Sequence, residues 1–124
     1  MDARALAEAQ RLIEKADMST FKPAGDAPAS TGGELVSIDL IDSPSRAPGV
    51  PIFDNPDPDR PDVCRSSEIL AALRKGTSLP PITLFQKGDG RYELRDGYHR
   101  LHLIAALGYT HVAATFTDWK LGEF

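Results

Sequence analysis

The stretch from Arg91 to Gly108, Arg-Tyr-Glu-Leu-Arg-Asp-Gly-Tyr-His-Arg-Leu-His-Leu-Ile-Ala-Ala-Leu-Gly, constrains the fold more than any other part of the chain. Tyr92 and Leu94 point one way and Arg91, Glu93 and Arg95 the other, the period-two pattern of a half-buried strand. Asp96-Gly97 breaks that strand, and either residue suits the N-cap of a helix opening with Tyr98, His99 and Arg100. Gly97 lacks a Cβ, so a ligand could approach its backbone closely. Leu101, Leu103, Ile104, Ala105, Ala106 and Leu107 make the helix apolar nearly all round, which predicts burial, and Gly108 ends it.

A helix start presents free N–H groups and a partial positive charge, and so attracts anions. Dipole attraction alone contributes only ~0.3–1 kcal/mol at an exposed site. An arginine able to bond a phosphate bidentately, beside an imidazole donor, strengthens the site. The structural alternative is that Arg100 pairs with a local carboxylate such as Asp96 while His99 sits at the surface. Tyr98 has two roles open to it, stacking on a base or bonding a phosphate, and packing over the helix start. His102 fits a core or surface histidine better than a ligand.

The remaining chain supplies a small set of elements. Residues 3–16 predict a helix with Leu6, Ala9, Leu12, Ile13 and Ala16 on one face, covering part of the core or docking on a protein partner. Thr20 to Gly33 is rich in Pro, Ala, Gly, Ser and Thr and predicts a flexible linker, so 1–33 separates from a domain at 34–124. Leu35 to Leu40 is the first expected strand, with Val36, Ile38 and Leu40 on one face. Residues 43–63 hold Pro44, Pro48, Pro51, Pro56, Pro58 and Pro61, which exclude regular structure. Asp54, Asp57, Asp59 and Asp62 in this loop fit solvated turns better than a Mg²⁺ or Ca²⁺ site.

Ser66 or Ser67 suits the cap of a second helix. Its buried stripe is Ile69, Leu70, Ala72 and Leu73, and Gly76 closes it. Ile82–Gln86 and Arg91–Arg95 form a hairpin across Lys87-Gly-Asp-Gly90, and a last strand runs from His111 to Thr117. The sum is a small α+β domain of about four strands with two core helices, plus the leading helix.

Composition bounds the function. A chain of 124 residues is one domain. Hydrophobic content of 41% and charged content of 26% are ordinary for a globular protein. The net charge of −4 and pI near 5.3 weigh against a broad phosphate-backbone binder, so direct DNA binding is not expected. One cysteine, Cys64, excludes an intramolecular disulfide. No apolar run nears the ~20 residues of a membrane span, and the charged amino terminus is unlike a signal peptide. The expected location is cytoplasmic.

The segment Tyr92-Glu-Leu-Arg-Asp-Gly-Tyr-His-Arg100, its apolar helix, Leu107-Gly-Tyr-Thr110 and the Val112-Ala-Ala114 strand resemble the ParB/sulfiredoxin superfamily. Val36–Ile41, Ser66–Leu73 and Pro80–Phe85 resemble its first strand, first core helix and following strand, so the likeness spans residues 34–117 in order. It implies that Gly97, His99 and Arg100 bind the phosphates of ATP or another nucleotide with Mg²⁺, with Tyr98 between them as a further candidate. Arg65 is similar in place to a basic residue used on the same ligand, with Ser66 and Ser67 as added donors. The alternative for Arg65 is a solvated loop charge.

Departures from the family narrow the activity. Sulfiredoxins place a reactive cysteine where this chain has Tyr98, and a phenol does not replace a thiolate, so sulfiredoxin activity is not expected. Cys64, beside Arg65, fits a half-buried structural thiol better than a catalytic one. ParB partition proteins carry an arginine-rich box and a downstream helix-turn-helix; only His99 and Arg100 stand in the box here, and 118–124 is too short to read DNA. Resemblance to a kinase of free serine implies a carboxylate base, with Glu34, Asp39, Asp42, Glu93 and Asp96 as candidates. The expected function is a nucleotide- or phosphate-binding domain that takes a nucleotide or a phosphorylated small molecule, with phosphotransferase or NTP hydrolase as the reaction classes. The rival is a non-enzymatic interaction or regulatory module working through residues 3–16, and a nuclease or DNA-associated factor is the weakest reading.

Overall fold

A computed structural model describes residues 3–43 and 65–117, the side chains of Arg65 and Ser66 excepted. The expectations for Asp54, Asp57, Asp59, Asp62, Cys64 and 118–124 lie outside the described residues. Among those described, three α-helices and five strands follow the order α1 (Ala3–Lys15), β1 (Glu34–Ser37), β2 (Ile41–Asp42), α2 (Arg65–Lys75), β3 (Ile82–Gln86), β4 (Tyr92–Asp96), α3 (Tyr98–Ala106) and β5 (His111–Phe116).

The sheet order is β1-β5-β3-β4-β2. β1 pairs antiparallel with β5 and β3 with β4, while β3–β5 and β2–β4 are parallel. The two edge strands are consecutive in sequence, joined only by a 3₁₀ turn over Ile38–Leu40. Extended chain reaches at most about 14 Å across that connection. Five flat strands would hold their edges about 19 Å apart. The sheet must therefore curl toward itself.

The same turn explains why the expected four strands are five. Strict alternation would have carried Leu40 inward beside Val36 and Ile38. Instead the 3₁₀ turn exposes Leu40 and buries Ile41, which then pairs with Tyr92 on the far edge.

One core joins the inward sheet residues Val36, Ile41, Ile82, Leu84, Leu94, Val112 and Ala114 to Ile69, Leu70 and Leu73 of α2 and to Leu101, Leu103 and Ile104 of α3. Ala9 and Ile13 of α1 enter the same core, and the Gln10 side-chain amide donates to the Ala106 carbonyl at 2.9 Å. The stretch from α1 to β1 also bonds to the domain. The Thr110 and His111 amides donate to the Asp26 carbonyl, and Thr31 and Leu79 exchange strand-like bonds with their neighbours.

Each helix ends in the same way. The residue after the last turn has positive φ, and paired 5→2 and 6→1 bonds close the end: Gly76 and Thr77 on Leu73 and Ala72, Gly108 and Tyr109 on Ala105 and Ile104. In α1 the position falls to Asp17, at φ 59°. Asp17 and Met18 make the equivalent bonds to Glu14 and Ile13, and Met18 is buried against the core.

The β3–β4 hairpin closes through the Lys87 amide to the Arg91 carbonyl, with the Asp89 carboxylate accepting from the Arg91 amide at 3.0 Å. Across it, Asp42 accepts from Arg91 at 2.6 and 3.1 Å and from Lys87 at 2.7 Å. These bonds, Arg91 first and then Lys87, hold the Asp42 carboxyl well below the usual carboxylate range and raise both cations. A depressed carboxylate contributes stability that is complete above its unfolded pKa and is lost as pH falls through its folded one. Asp42→Asn is expected to flatten the acid limb of a urea-midpoint profile below about pH 4. An unchanged acid limb would show that the clasp carries no linkage.

Candidate functional site

β4 ends at Asp96, the chain reverses hand at Gly97 (φ 103°, ψ 31°), and α3 begins at Tyr98. The expectation of a side-chain cap from Asp96 is corrected: Gly97 is the N-cap, and no side chain bonds there. A Cβ at Gly97 would meet Ile82 Cγ2 at 2.6 Å and Arg100 Nη2 at 3.2 Å. On that side the glycine admits its own neighbours rather than an open approach. Gly97 is thus required by backbone hand and by packing together.

Arg100 lies over this junction. Its Nη2 donates a long bond of 3.4 Å to the Pro81 carbonyl and stands 3.9 Å from Asp96 Oδ2. Arg100 is 21% exposed and Asp96 79%, so the pairing foreseen as the structural alternative is present but long and wet. Such pairs contribute about 0–1 kcal/mol. Arg100 Nε is buried with no hydrogen-bond partner. A sequestered guanidinium N–H left unsatisfied costs roughly 1–3 kcal/mol or more, and an anion would offset it.

The two histidines go inward rather than to the surface. His99 is buried, its ring edge-on to Tyr98 at 6.1 Å. His102 is 0% exposed, with Nδ1 2.7 Å from the Tyr98 carbonyl, Nε2 3.1 Å from Ser43 Oγ and its ring 4.3 Å from the half-buried Tyr98 ring. The expected core role of His102 is therefore observed, and Tyr98 packs over the helix start.

α2 packs beside α3 and begins at Arg65. Ser66 and Ser67 consequently fall inside its first turn rather than at the cap, which corrects that expectation; Ser67 is exposed, with Glu68 beside it. Where the side chains of Arg65 and Ser66 point lies outside the described residues.

Of the candidate bases, Asp42 is committed to its clasp and is a weaker base for it. Glu34 and Asp39 are exposed. Glu93 lies 3.3 Å from Arg95 Nη1. That contact is ionic but misaligned as a hydrogen bond, since Arg95 Nε and Nη1 are buried without hydrogen-bond partners while the guanidinium covers the Phe85 ring at 4.9 Å. Alternation alone had placed Arg95 outward with Arg91 and Glu93. Ser43, just after β2, was not singled out: nothing in the sequence near it signals its contact with His102, 59 residues away. Among the described residues no three His, Cys, Asp or Glu side chains form a group that could hold a metal ion, and no helix is long and apolar enough to cross a membrane.

Two solved structures are similar in fold. One is the C-terminally truncated chromosome-partitioning protein ParB from Caulobacter crescentus complexed with CTP-γ-S, at 15% identity and TM-score 0.52, covering 73% of this chain and 46% of that one. The other is a free serine kinase in complex with AMP, at 17% identity and TM-score 0.51, covering 81% of this chain and 37% of that one. The chain thus spans less than half the length of either. No protein-family model and no curated protein sequence matches it. At these identities the likeness shows the fold, which is ParB/sulfiredoxin-like.

Proposed function

We propose that this chain binds a nucleotide through its phosphates at the start of α3, and that it acts there as a phosphotransferase or NTP hydrolase. The observation that carries the reading is Arg100, a largely sequestered cation with a buried, unsatisfied Nε beside an uncapped helix N-terminus. In this reading the amides of Gly97, Tyr98 and His99 and the Arg100 guanidinium hold the phosphates. Arg65, Ser66 and Ser67 bring a second helix start to the same ligand, and Mg²⁺ arrives with the phosphates rather than in a protein cage. Both fold neighbours were solved with nucleotides bound, which supports the choice of ligand. The main catalytic contribution is stabilisation of charge building on the transferred phosphoryl group.

Thermal-shift titration with ATP, ADP, CTP and GTP, with and without Mg²⁺, tests this. Ligand at a hundred times its Kd stabilises the native state by about 2.7 kcal/mol, a shift of several degrees. Arg100→Ala is expected to abolish the shift while the unliganded protein melts within a few degrees of the parent, because its present contacts are long. No shift with any nucleotide would overturn the reading and favour an interaction module using α1.

A further inference from the structure

The pair formed by half-buried Ser43 and buried His102 has no part in the phosphate grip just described. A backbone carbonyl has no proton, so the 2.7 Å contact between His102 Nδ1 and the Tyr98 carbonyl requires that Nδ1 carry the hydrogen. When the ring is neutral, its Nε2 lone pair faces Ser43 Oγ, 3.1 Å away, and the hydroxyl is placed to donate to it. This is the tautomer a general base needs, with nucleophile, base and orienting group in a row. The Tyr98 ring lies at 4.3 Å from the imidazole, and His102 is wholly shielded from water.

The hydroxyl is also fixed in place. Ser43 directly follows Asp42, whose backbone is in parallel register with Glu93 and whose carboxylate is gripped by Arg91 and Lys87. The residue that orients His102 is Tyr98, the first residue of α3. The hydroxyl is therefore linked through His102 to the carbonyl of Tyr98, the residue that opens the helix offered to the anion.

We infer that Ser43 is a nucleophile activated by His102, and that it accepts the terminal phosphoryl group of the nucleoside triphosphate bound at the start of α3. The inference rests on the nucleotide-binding reading. In the step, Oγ–H breaks and its proton passes to His102 Nε2 while an Oγ–P bond forms. The bond from that phosphorus to the bridging oxygen breaks, and the nucleoside diphosphate leaves with the electron pair. The proton on Nε2 passes to an oxygen of the departing diphosphate, because His102 is closed to water. The product is phosphoserine at position 43.

Intact-protein mass spectrometry after incubation with Mg²⁺ and each of ATP, CTP and GTP, with peptide mapping, tests the inference. One phosphoryl group is expected, on the peptide holding Ser43 and absent from Ser43→Ala. His102→Gln is expected to slow incorporation by about 100-fold or more, the usual contribution of a general base. A nucleotide-dependent thermal shift without phosphate on Ser43 overturns the inference and leaves the binding reading standing; no shift and no phosphate overturns both. If His102→Gln fails to fold, ¹⁵N chemical shifts of the parent decide the base: a ring protonated at Nε2 instead of Nδ1 would sink it.

Discussion

Gly97→Ala is expected to lower stability by about 3–5 kcal/mol, combining a strained backbone at roughly 1–3 kcal/mol with overpacking of similar size. The φ of 103° disfavours any side chain, and the new methyl would sit 2.6 Å from Ile82 Cγ2 and 2.9 Å from Ile82 Cβ. Ile82 cannot step aside, since it is fully buried in the middle of the sheet beside Ala114. Set against a typical total of about 5–15 kcal/mol, the loss is a large share. The melting temperature should fall by about 10 °C or more. Urea denaturation checks it: a change under ~1 kcal/mol would mean that the β4–α3 turn does not have this shape. Because the glycine is needed by the fold itself, this variant does not test the anion site, which is the task of Arg100→Ala.

How far these features could be foreseen depends on how local their causes are. Two helix ends were marked by glycine; the end of α1, expected at 16 and found at Lys15, was read from periodicity alone, while its left-handed Asp17 carried no signal. The β3–β4 hairpin and the β4-Gly97-α3 junction follow from alternation and turn chemistry within a few residues. The splitting of the first strand does not. It arises because β1 and β2 find partners on opposite edges, a tertiary demand that overrode the alternation of Val36, Ile38 and Leu40. The site divides in the same way. Gly97 and Arg100 are visible as a pattern, whereas Ser43 meets His102 only after the sheet has curled. Arg95 was placed on the outward face, as alternation requires, yet its guanidinium is sequestered against Phe85.

The curled sheet makes a second large effect testable, through the contrast between its two faces. Leu84→Ala is expected to cost about 3–4 kcal/mol, whereas Leu35→Ala should stay within about 0.5 kcal/mol. Leu84 is 0% exposed and lies on β3, with Leu94 opposite it on one side and Phe116 on the other. Those neighbours sit in hydrogen-bonded strands and cannot collapse into the space a lost isobutyl group leaves, so the cavity persists and adds to the lost transfer energy. Leu35 is 63% exposed on edge strand β1, where it pairs with Ala113. Its removal uncovers little and leaves no void. Both variants are read by urea midpoint at constant m-value. Equal losses at the two positions would mean that β1 and β3 do not bury the faces described, and with them would go the register that places Gly97 against Ile82.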